Sequence, residues 1–211
     1  MSDDVITKII QELSYINYSG KISYHLNNEP LLRNDLERVV KKIKKAIPNA
    51  FQLLYTNGIL LSYERYLSLL KAGINYFLVT RHDYLPMPDR PFQKIIYPNN
   101  LILSNWGGAF FKLKKPLNTP CFSPSDRLVV TLKGDILLCC NDTFRTQVMG
   151  NILNDKLENI WYSNTFCEIR NILKVGKRNV APDICKHCNE KEYSSPGADY
   201  FSGINKESLN L

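Results

Sequence analysis

The chain has 211 residues, 44% of them hydrophobic and 22% charged, with a net charge of +7. That is the composition of a globular chain long enough to bury a core as one domain, or one and a small second, and it excludes disorder. No apolar run reaches the roughly 18 residues of a membrane span, and the acidic start Met1-Ser2-Asp3-Asp4 is unlike a signal peptide.

The first half predicts alternating helices and strands. Val5, Ile6, Ile9, Ile10 and Leu13 recur at helical spacing behind Ser2, a helix N-cap, over residues 3–16. A strand is expected at 21–26 (Lys-Ile-Ser-Tyr-His-Leu). Asn34, with Glu37 three residues on, then predicts a capping box for a second helix, whose buried stripe is Leu36, Val39, Val40, Ile43 and Ile47. Its lysines, Lys41, Lys42, Lys44 and Lys45, form the densest basic run of the chain; they read as a solvated face, so no nucleic-acid partner is expected. Pro48 stops this helix. A strand at 51–56 ends at the Asn57-Gly58 turn, a helix follows over about 62–72 and closes at Gly73, and residues 74–80 make a third strand.

Strand starts near 21, 51 and 74 are spaced like β-α repeats, and the apolar runs of the second and third strands fit parallel strands covered on both faces. The predicted fold class is α/β, an open parallel sheet or a partial parallel β/α barrel. In such sheets ligands bind at the C-terminal strand ends. Polar groups follow each predicted strand: His25 to Pro30 after the first, Thr56-Asn57-Gly58 after the second, Thr80-Arg81-His82-Asp83 after the third.

Beyond residue 118 the pattern changes. Two apolar segments meet at Lys133-Gly134-Asp135, predicting a β-hairpin that brings Cys121 and Cys139 together at its base. A C-x-x-C loop, Cys185 to Cys188, supplies two more thiolates. Four thiolates from a hairpin and a loop make a soft tetrahedral site, suited to zinc or to an iron–sulfur cluster. Six cysteines without an export signal fit a reduced, cytoplasmic protein that ligates metal. Cys140, beside Cys139, is expected on the opposite face of the hairpin strand. Cys167 is read as packing in one long helix, Leu157 to Leu173, and His187 as exposed; the polar residues from Glu190 to Leu211 read as a loosely attached tail.

In this order, Asn-Asn-Glu-Pro-Leu-Leu (27–32), Tyr-Thr-Asn-Gly (55–58), the 72–80 strand, Cys121…Gly134…Cys139, Met149-Gly150-Asn151-Ile152, Leu157 to Trp161, a helix with Arg170 and Cys-Lys-His-Cys (185–188) resemble the radical S-adenosylmethionine enzymes with a C-terminal SPASM or "twitch" extension. Within them the pattern is similar to an aminocyclitol-dehydrogenase branch. The resemblance covers about residues 5–190. It implies a partial β/α domain at 1–118, a SPASM/twitch iron–sulfur domain at 119–190 and a tail at 191–211.

It also implies roles. Glu29 would receive the methionine amino group of S-adenosylmethionine; Thr56 and Asn57 would line the same cleft, and Thr80 and His82 fall where the family contacts the ribose. Cys121, Cys139, Cys185 and Cys188 would hold one auxiliary 4Fe–4S cluster, as in the one-cluster twitch form. The implied partners are a small-molecule substrate and an electron donor such as flavodoxin or ferredoxin.

Two positions depart from the family. Its radical chemistry starts at a C-x-x-x-C-x-x-C loop that this sequence lacks, and Met1 falls about where that loop has ended; a fragment or late start is expected rather than a domain that has lost the chemistry. Trp106 stands where the dehydrogenase branch carries an arginine implicated at the substrate hydroxyl, which places the substrate in question or makes Trp106 a packing residue. Three functions are carried forward: an oxidoreductase acting on a hydroxyl of an aminocyclitol or sugar, a peptide-modifying SPASM maturase, and a non-catalytic zinc or cluster scaffold.

Overall fold

The computed structural model describes residues 1–101 and 103–191, and all but the first two residues of the expected polar tail lie outside them. The chain forms two compact units. One spans residues 10–102; the other combines residues 1–9 with those from 103 onward.

The first helix, α1 (Asp3–Tyr15), starts at Ser2, whose Oγ accepts the Val5 N–H at 3.4 Å and whose carbonyl accepts that of Ile6. In the 10–102 unit, β1 (Lys21–Ser23), β2 (Phe51–Thr56), β3 (Tyr76–Thr80) and β4 (Gln93–Ile96) form an all-parallel sheet in that order. Lys21 pairs with Phe51, Leu53 with Tyr76 and Phe77 with Gln93. The sheet is open, with β1 and β4 at its edges. Helices α2 (Leu36–Ala46) and α3 (Tyr63–Ala72) make the first two crossovers and share one core cluster with the strands. Leu36, Val40, Leu54, Leu69, Ile74, Phe77 and Val79 form the core there.

Three local expectations change. The first strand is only three residues long; the chain leaves the ladder at Tyr24, and His25 instead stacks on Tyr55 with ring centroids 3.9 Å apart. The Asn34–Glu37 capping box does not form. Asp35 is the N-cap residue without a side-chain cap bond, because hydrogen bonds from Arg38 and Arg33 engage its carboxylate and hold its pKa below the usual range. Glu37 faces Arg65 at 3.4 Å. Finally, β4 has no counterpart in the sequence reading: four residues behind a proline-rich stretch carry too short a pattern.

The buried Gln52 links the layers of this unit. Its Nε2 donates to the carbonyls of Val40 and Gly73 at 3.4 and 3.3 Å, and its Oε1 accepts the Tyr24 hydroxyl. Burial pushes the Tyr24 phenol up, keeping it a donor.

In the other unit, β5 (Val129–Val130), β6 (Asp135–Leu137) and β7 (Val148–Asn151) form an antiparallel sheet in which the expected hairpin pairs Val129 with Leu137. Around it lie α4 (Ser123–Asp126), α5 (Leu157–Trp161), α6 (Asn164–Lys174) and α7 (Asp183–His187). The single helix expected from Leu157 to Leu173 is two: Ser163 breaks it and caps α6, its Oγ accepting the Phe166 N–H at 3.4 Å. Val5, Ile136, Leu138, Ile152, Phe166, Ile169 and Leu173 form this unit's core. Arg170 is buried between the Trp161 and Phe166 rings, 3.7 and 3.9 Å from their centroids, and donates to the Pro124 carbonyl at 2.8 Å.

Gln52→Leu keeps the volume but leaves the Val40 and Gly73 carbonyls and the Tyr24 hydroxyl without this partner. It is expected to cost about 1–3 kcal/mol, the range for stranding buried polar groups. Urea unfolding of the two proteins measures this; equal midpoints and slopes would show that the network contributes nothing to stability.

Candidate functional site

Two sites emerge, one in each unit. At the C-terminal sheet edge, the Glu29 carboxylate joins two elements. Its Oε1 accepts the Leu31 N–H at 2.9 Å and the Thr56 hydroxyl at 2.8 Å, while Oε2 accepts the Asn57 N–H at 2.8 Å. The first bond caps a 3-10 turn, Pro30–Leu32. Arg65 of α3 fixes that turn by donating to the carbonyls of Leu31 and Arg33 at 2.6 and 2.8 Å. Thr56 Oγ1 also accepts the Gly58 N–H at 3.0 Å, so the turn after β2 closes on the residue that holds Glu29.

Glu29, Thr56 and Asn57 are thus brought together as expected, whereas Thr80 and His82 are not drawn into this group. Thr80 ends β3 half-buried, and His82 is exposed, its N–H donating to the Thr80 carbonyl at 3.2 Å. Arg81 takes the linking position between them. It is 8% exposed and reaches from β3 to the Asn57 carbonyl at 3.4 Å, with Asp83 paired at 2.7 Å.

In the other unit, Cys121, Cys139, Cys185 and Cys188 line a single cavity, together with Asn141, Arg178 and Glu190. Cys121 is set by its N–H donating to the Leu173 carbonyl at 3.0 Å, at the end of α6. Cys139 follows β6. Cys185 lies in α7 and Cys188 is its C-cap. All are free thiols. Two sulfurs accept hydrogen bonds from one residue: the Asn141 N–H donates to Cys139 Sγ at 3.2 Å and its Nδ2 to Cys188 Sγ at 3.8 Å. Such donors orient sulfur ligands and tune what they bind.

Cys140 and Cys167 are absent from the lining of this cavity. The reason for Cys140 is not the alternation of a strand, since β6 ends at Leu137. Its thiol instead hydrogen-bonds Cys139, and that bond, with burial behind it, raises the Cys139 pKa. Burial pushes the Cys185 thiol up to about 12, aided by Cys121 and Cys188, and burial likewise raises Cys188. Crowded, desolvated sulfurs hold their protons until a cation takes their place.

Among the described residues, no three His, Cys, Asp or Glu side chains are gathered as for one ion. An iron–sulfur cluster would need one thiolate for each of several irons and not three ligands on one ion, so four cysteines lining one cavity fit it without that convergence.

The Ser104-to-Gly108 segment is fastened to the C-x-x-C segment by Asn105, which is 1% exposed. Its N–H donates to Asn189 Oδ1 at 2.8 Å, its Nδ2 to the His187 carbonyl at 2.7 Å and the Phe111 carbonyl at 2.8 Å, and its Oδ1 accepts the Asn189 N–H at 3.1 Å. Glycine is required at 108 because φ is +94° and a Cβ would stand 2.6 Å from the His187 Cβ. Trp106, at φ +50°, is 40% exposed and rests against Phe110 with centroids 5.0 Å apart. His187 is half-buried rather than exposed, its Nδ1 facing the Leu113 carbonyl at 3.2 Å.

Sequence reasoning missed the roles of Asn105, Asn141, Arg178 and Arg81. Proximity of Asn141 to Cys139 was its one available signal; the carbonyls by which Arg81, Asn105 and Arg178 tie separate segments together, those of Asn57, His187 and Thr119, are 24, 82 and 59 residues away.

Residues 121–189 match SPASM, an iron–sulfur cluster-binding domain. The chain is 35% identical over 196 residues to the S-adenosyl-L-methionine-dependent 2-deoxy-scyllo-inosamine dehydrogenase of Niallia circulans, spanning 86% of this chain and 77% of the relative. The crystal structure of BtrN in complex with AdoMet and 2-DOIA superposes with a TM-score of 0.81 at 34% identity, over 90% of this chain and 80% of that one. Native anSMEcpe with bound AdoMet shares the fold, at a TM-score of 0.52 and 13% identity, over 82% of this chain and 75% of the other. No helix among the described residues is long and apolar enough to cross a membrane. The chain belongs to the radical S-adenosylmethionine family with an iron–sulfur SPASM domain, in the branch of 2-deoxy-scyllo-inosamine dehydrogenase.

Proposed function

We propose that the chain serves an iron–sulfur oxidoreductase that converts a hydroxyl of a small polar substrate, an aminocyclitol or sugar, to a ketone, and that it works in the cytoplasm with a low-potential protein such as flavodoxin or ferredoxin as electron donor. The observation that carries this reading is the ring of Cys121, Cys139, Cys185 and Cys188 around one cavity. These four are the ligands of an auxiliary 4Fe–4S cluster, which supplies, when bound, an acceptor for one of the two electrons the alcohol loses. Asn141 orients two of the sulfurs.

Glu29 receives the ammonium group of S-adenosylmethionine. Three donors already hold its carboxylate in place, and a carboxylate has about four acceptor positions, so one remains for the incoming cation. Thr56 and Asn57 fix that orientation; Thr80 and His82 flank the ribose. None of the six cysteines forms a C-x-x-x-C-x-x-C run, so these 211 residues do not hold the cluster that cleaves the cofactor.

Anaerobically reconstituted protein is expected to hold about four irons and four sulfides per chain. Alanine at any of the four cysteines should abolish or destabilise the absorption near 400 nm that such clusters give, roughly where thiolate-to-iron charge transfer falls, while Cys140→Ala and Cys167→Ala keep it. Stoichiometric zinc without iron, in protein purified without oxygen, would establish the scaffold reading instead.

The raised thiol pKa values fix a pH dependence. A group whose folded pKa lies above its unfolded one stabilises the fold fully below the unfolded value and loses that contribution as pH rises through the folded value. Metal-free protein should therefore hold its stability to about pH 9 and lose some between 9.0 and about 12, the interval for Cys185, and lose less in Cys185→Ala. Metal loading runs the other way, releasing protons and tightening as pH rises from 6 to 9, roughly the range over which thiols exchange protons for metal. Denaturation and metal-titration series across pH check both signs; a metal affinity that is flat with pH would contradict them.

Supplied with S-adenosylmethionine and a strong reductant, residues 1–211 alone should release no 5′-deoxyadenosine. Chromatographic detection of that product above background would show that these residues hold the cleaving cluster after all.

A further inference from the structure

Arg178 is the most deeply buried charged side chain described, with 1% of its surface exposed. It stands in the 3-10 turn Arg178–Val180 and lines the cavity ringed by the four cysteines. Its Nε donates to the Thr119 carbonyl at 3.0 Å and its Nη2 to the Pro120 carbonyl at 3.3 Å. Among the described residues no carboxylate is in ion-pair contact with it. Asp142, buried nearby, accepts hydrogen bonds on both oxygens from Thr146 and Gln147, and Glu190 lines the cavity without pairing to the guanidinium.

The other deeply buried guanidinium of this unit shows the contrast. Arg170 has two aromatic faces over it, whose negative π-clouds meet its charge. Arg178 has two carbonyl dipoles and a wall of sulfur. A buried cation without an anion is costly, and burial is retained where a counter-charge exists. The groups that share its cavity and can supply one are the four cysteine sulfurs, which become thiolates when a metal centre takes the place of their protons.

We propose that Arg178 is the built-in counter-charge of the cluster site, a positioning residue that stabilises the cluster's reduced, more negative state and thereby raises its reduction potential. This rests on the reading of the four cysteines as cluster ligands. Four thiolates leave a cluster net negative, and each electron added makes it more so; a fixed cation at the cavity wall favours the electron-rich state, and net charge is one of the levers that set such potentials. Its hydrogen bonds to Thr119 and Pro120 place that cation beside Cys121, the next residue in the chain.

The test is a redox titration of the reconstituted 211-residue protein, wild type against Arg178→Gln and Arg178→Lys, read by absorbance or electron paramagnetic resonance. In Arg178→Gln the ratio of reduced to oxidised cluster at a fixed potential should fall about tenfold, a negative shift of about 59 mV for one electron. Arg178→Lys, which keeps the charge, should stay within about threefold of wild type on the same scale. A potential unchanged in the Gln variant, or Gln and Lys variants shifted equally, would overturn the proposal, the second outcome showing that only the hydrogen bonds matter. A wild-type protein that holds no iron would instead remove the cluster reading itself. Should the Gln variant fail to retain a cluster, Co2+ binding followed by its thiolate charge-transfer absorption decides: about tenfold weaker for Gln and near wild type for Lys supports the counter-charge, and equal loss in both refutes it.

Discussion

Everything in the cysteine-bearing unit is arranged around sulfur that has been taken out of water. Four cysteines and a guanidinium share one cavity, and the segments that deliver them are far apart in sequence. Cys121 is pinned to the end of α6, Arg178 holds the carbonyls just before Cys121, and Asn105 holds a carbonyl inside the C-x-x-C. With three short β-strands and a compact apolar cluster behind them, these cross-ties do what a larger core does elsewhere. Burial favours the protonated form of Cys139, Cys185 and Cys188 and leaves the arginine unmatched, so the polypeptide's own electrostatics are incomplete. A cationic centre bound by thiolates resolves both at once, which is why metal binding and folding are coupled in such domains.

The sheet unit solves a different problem. Parallel strands end with unpaired polar backbone at one edge, and what sits there must be ordered without being closed off. Glu29 does this by capping the turn that follows β1 while gripping the hydroxyl and N–H that end β2. Arg65 then fixes the same turn from the helix behind. Among the described residues the carboxylate is held by hydrogen bonds from neutral donors and not by an ion pair, so its negative charge remains available to a cationic ligand.

Much of this was legible in the sequence, for identifiable reasons. The strand Phe51–Thr56 is bounded by Pro48 and Asn57-Gly58, and the α2 stripe recurs strictly at helical spacing, so both are local signals. The hairpin and the cysteine spacing were equally explicit. What failed depended on partners remote in sequence. Asn34 and Glu37 have the capping pattern, but arginines compete for the acidic groups and Asp35 takes the cap position. The helix around Cys167 reads as continuous until Ser163 captures a backbone N–H. No period or spacing marks Arg178 or Asn105, whose acceptors lie 59 and 82 residues away.

Trp106 shows how backbone and side chain divide their work. A bulky residue at φ +50° costs of order 1–2 kcal/mol, and the Asn105 hydrogen bonds to the C-x-x-C segment provide the offset. Gly107 and Gly108 follow at φ +62° and +94°, which favour glycine, and at 108 a Cβ would also stand 2.6 Å from the His187 Cβ. The loop is thus held at its flanks, by the Asn105 hydrogen bonds on one side and by Gly108 on the other. The lone pair of an indole nitrogen is bound up in the aromatic ring, so it cannot take up a hydroxyl proton; the side chain offers an apolar face and one N–H donor. What the side chain does make here is a packing contact, with its ring centroid 5.0 Å from that of Phe110.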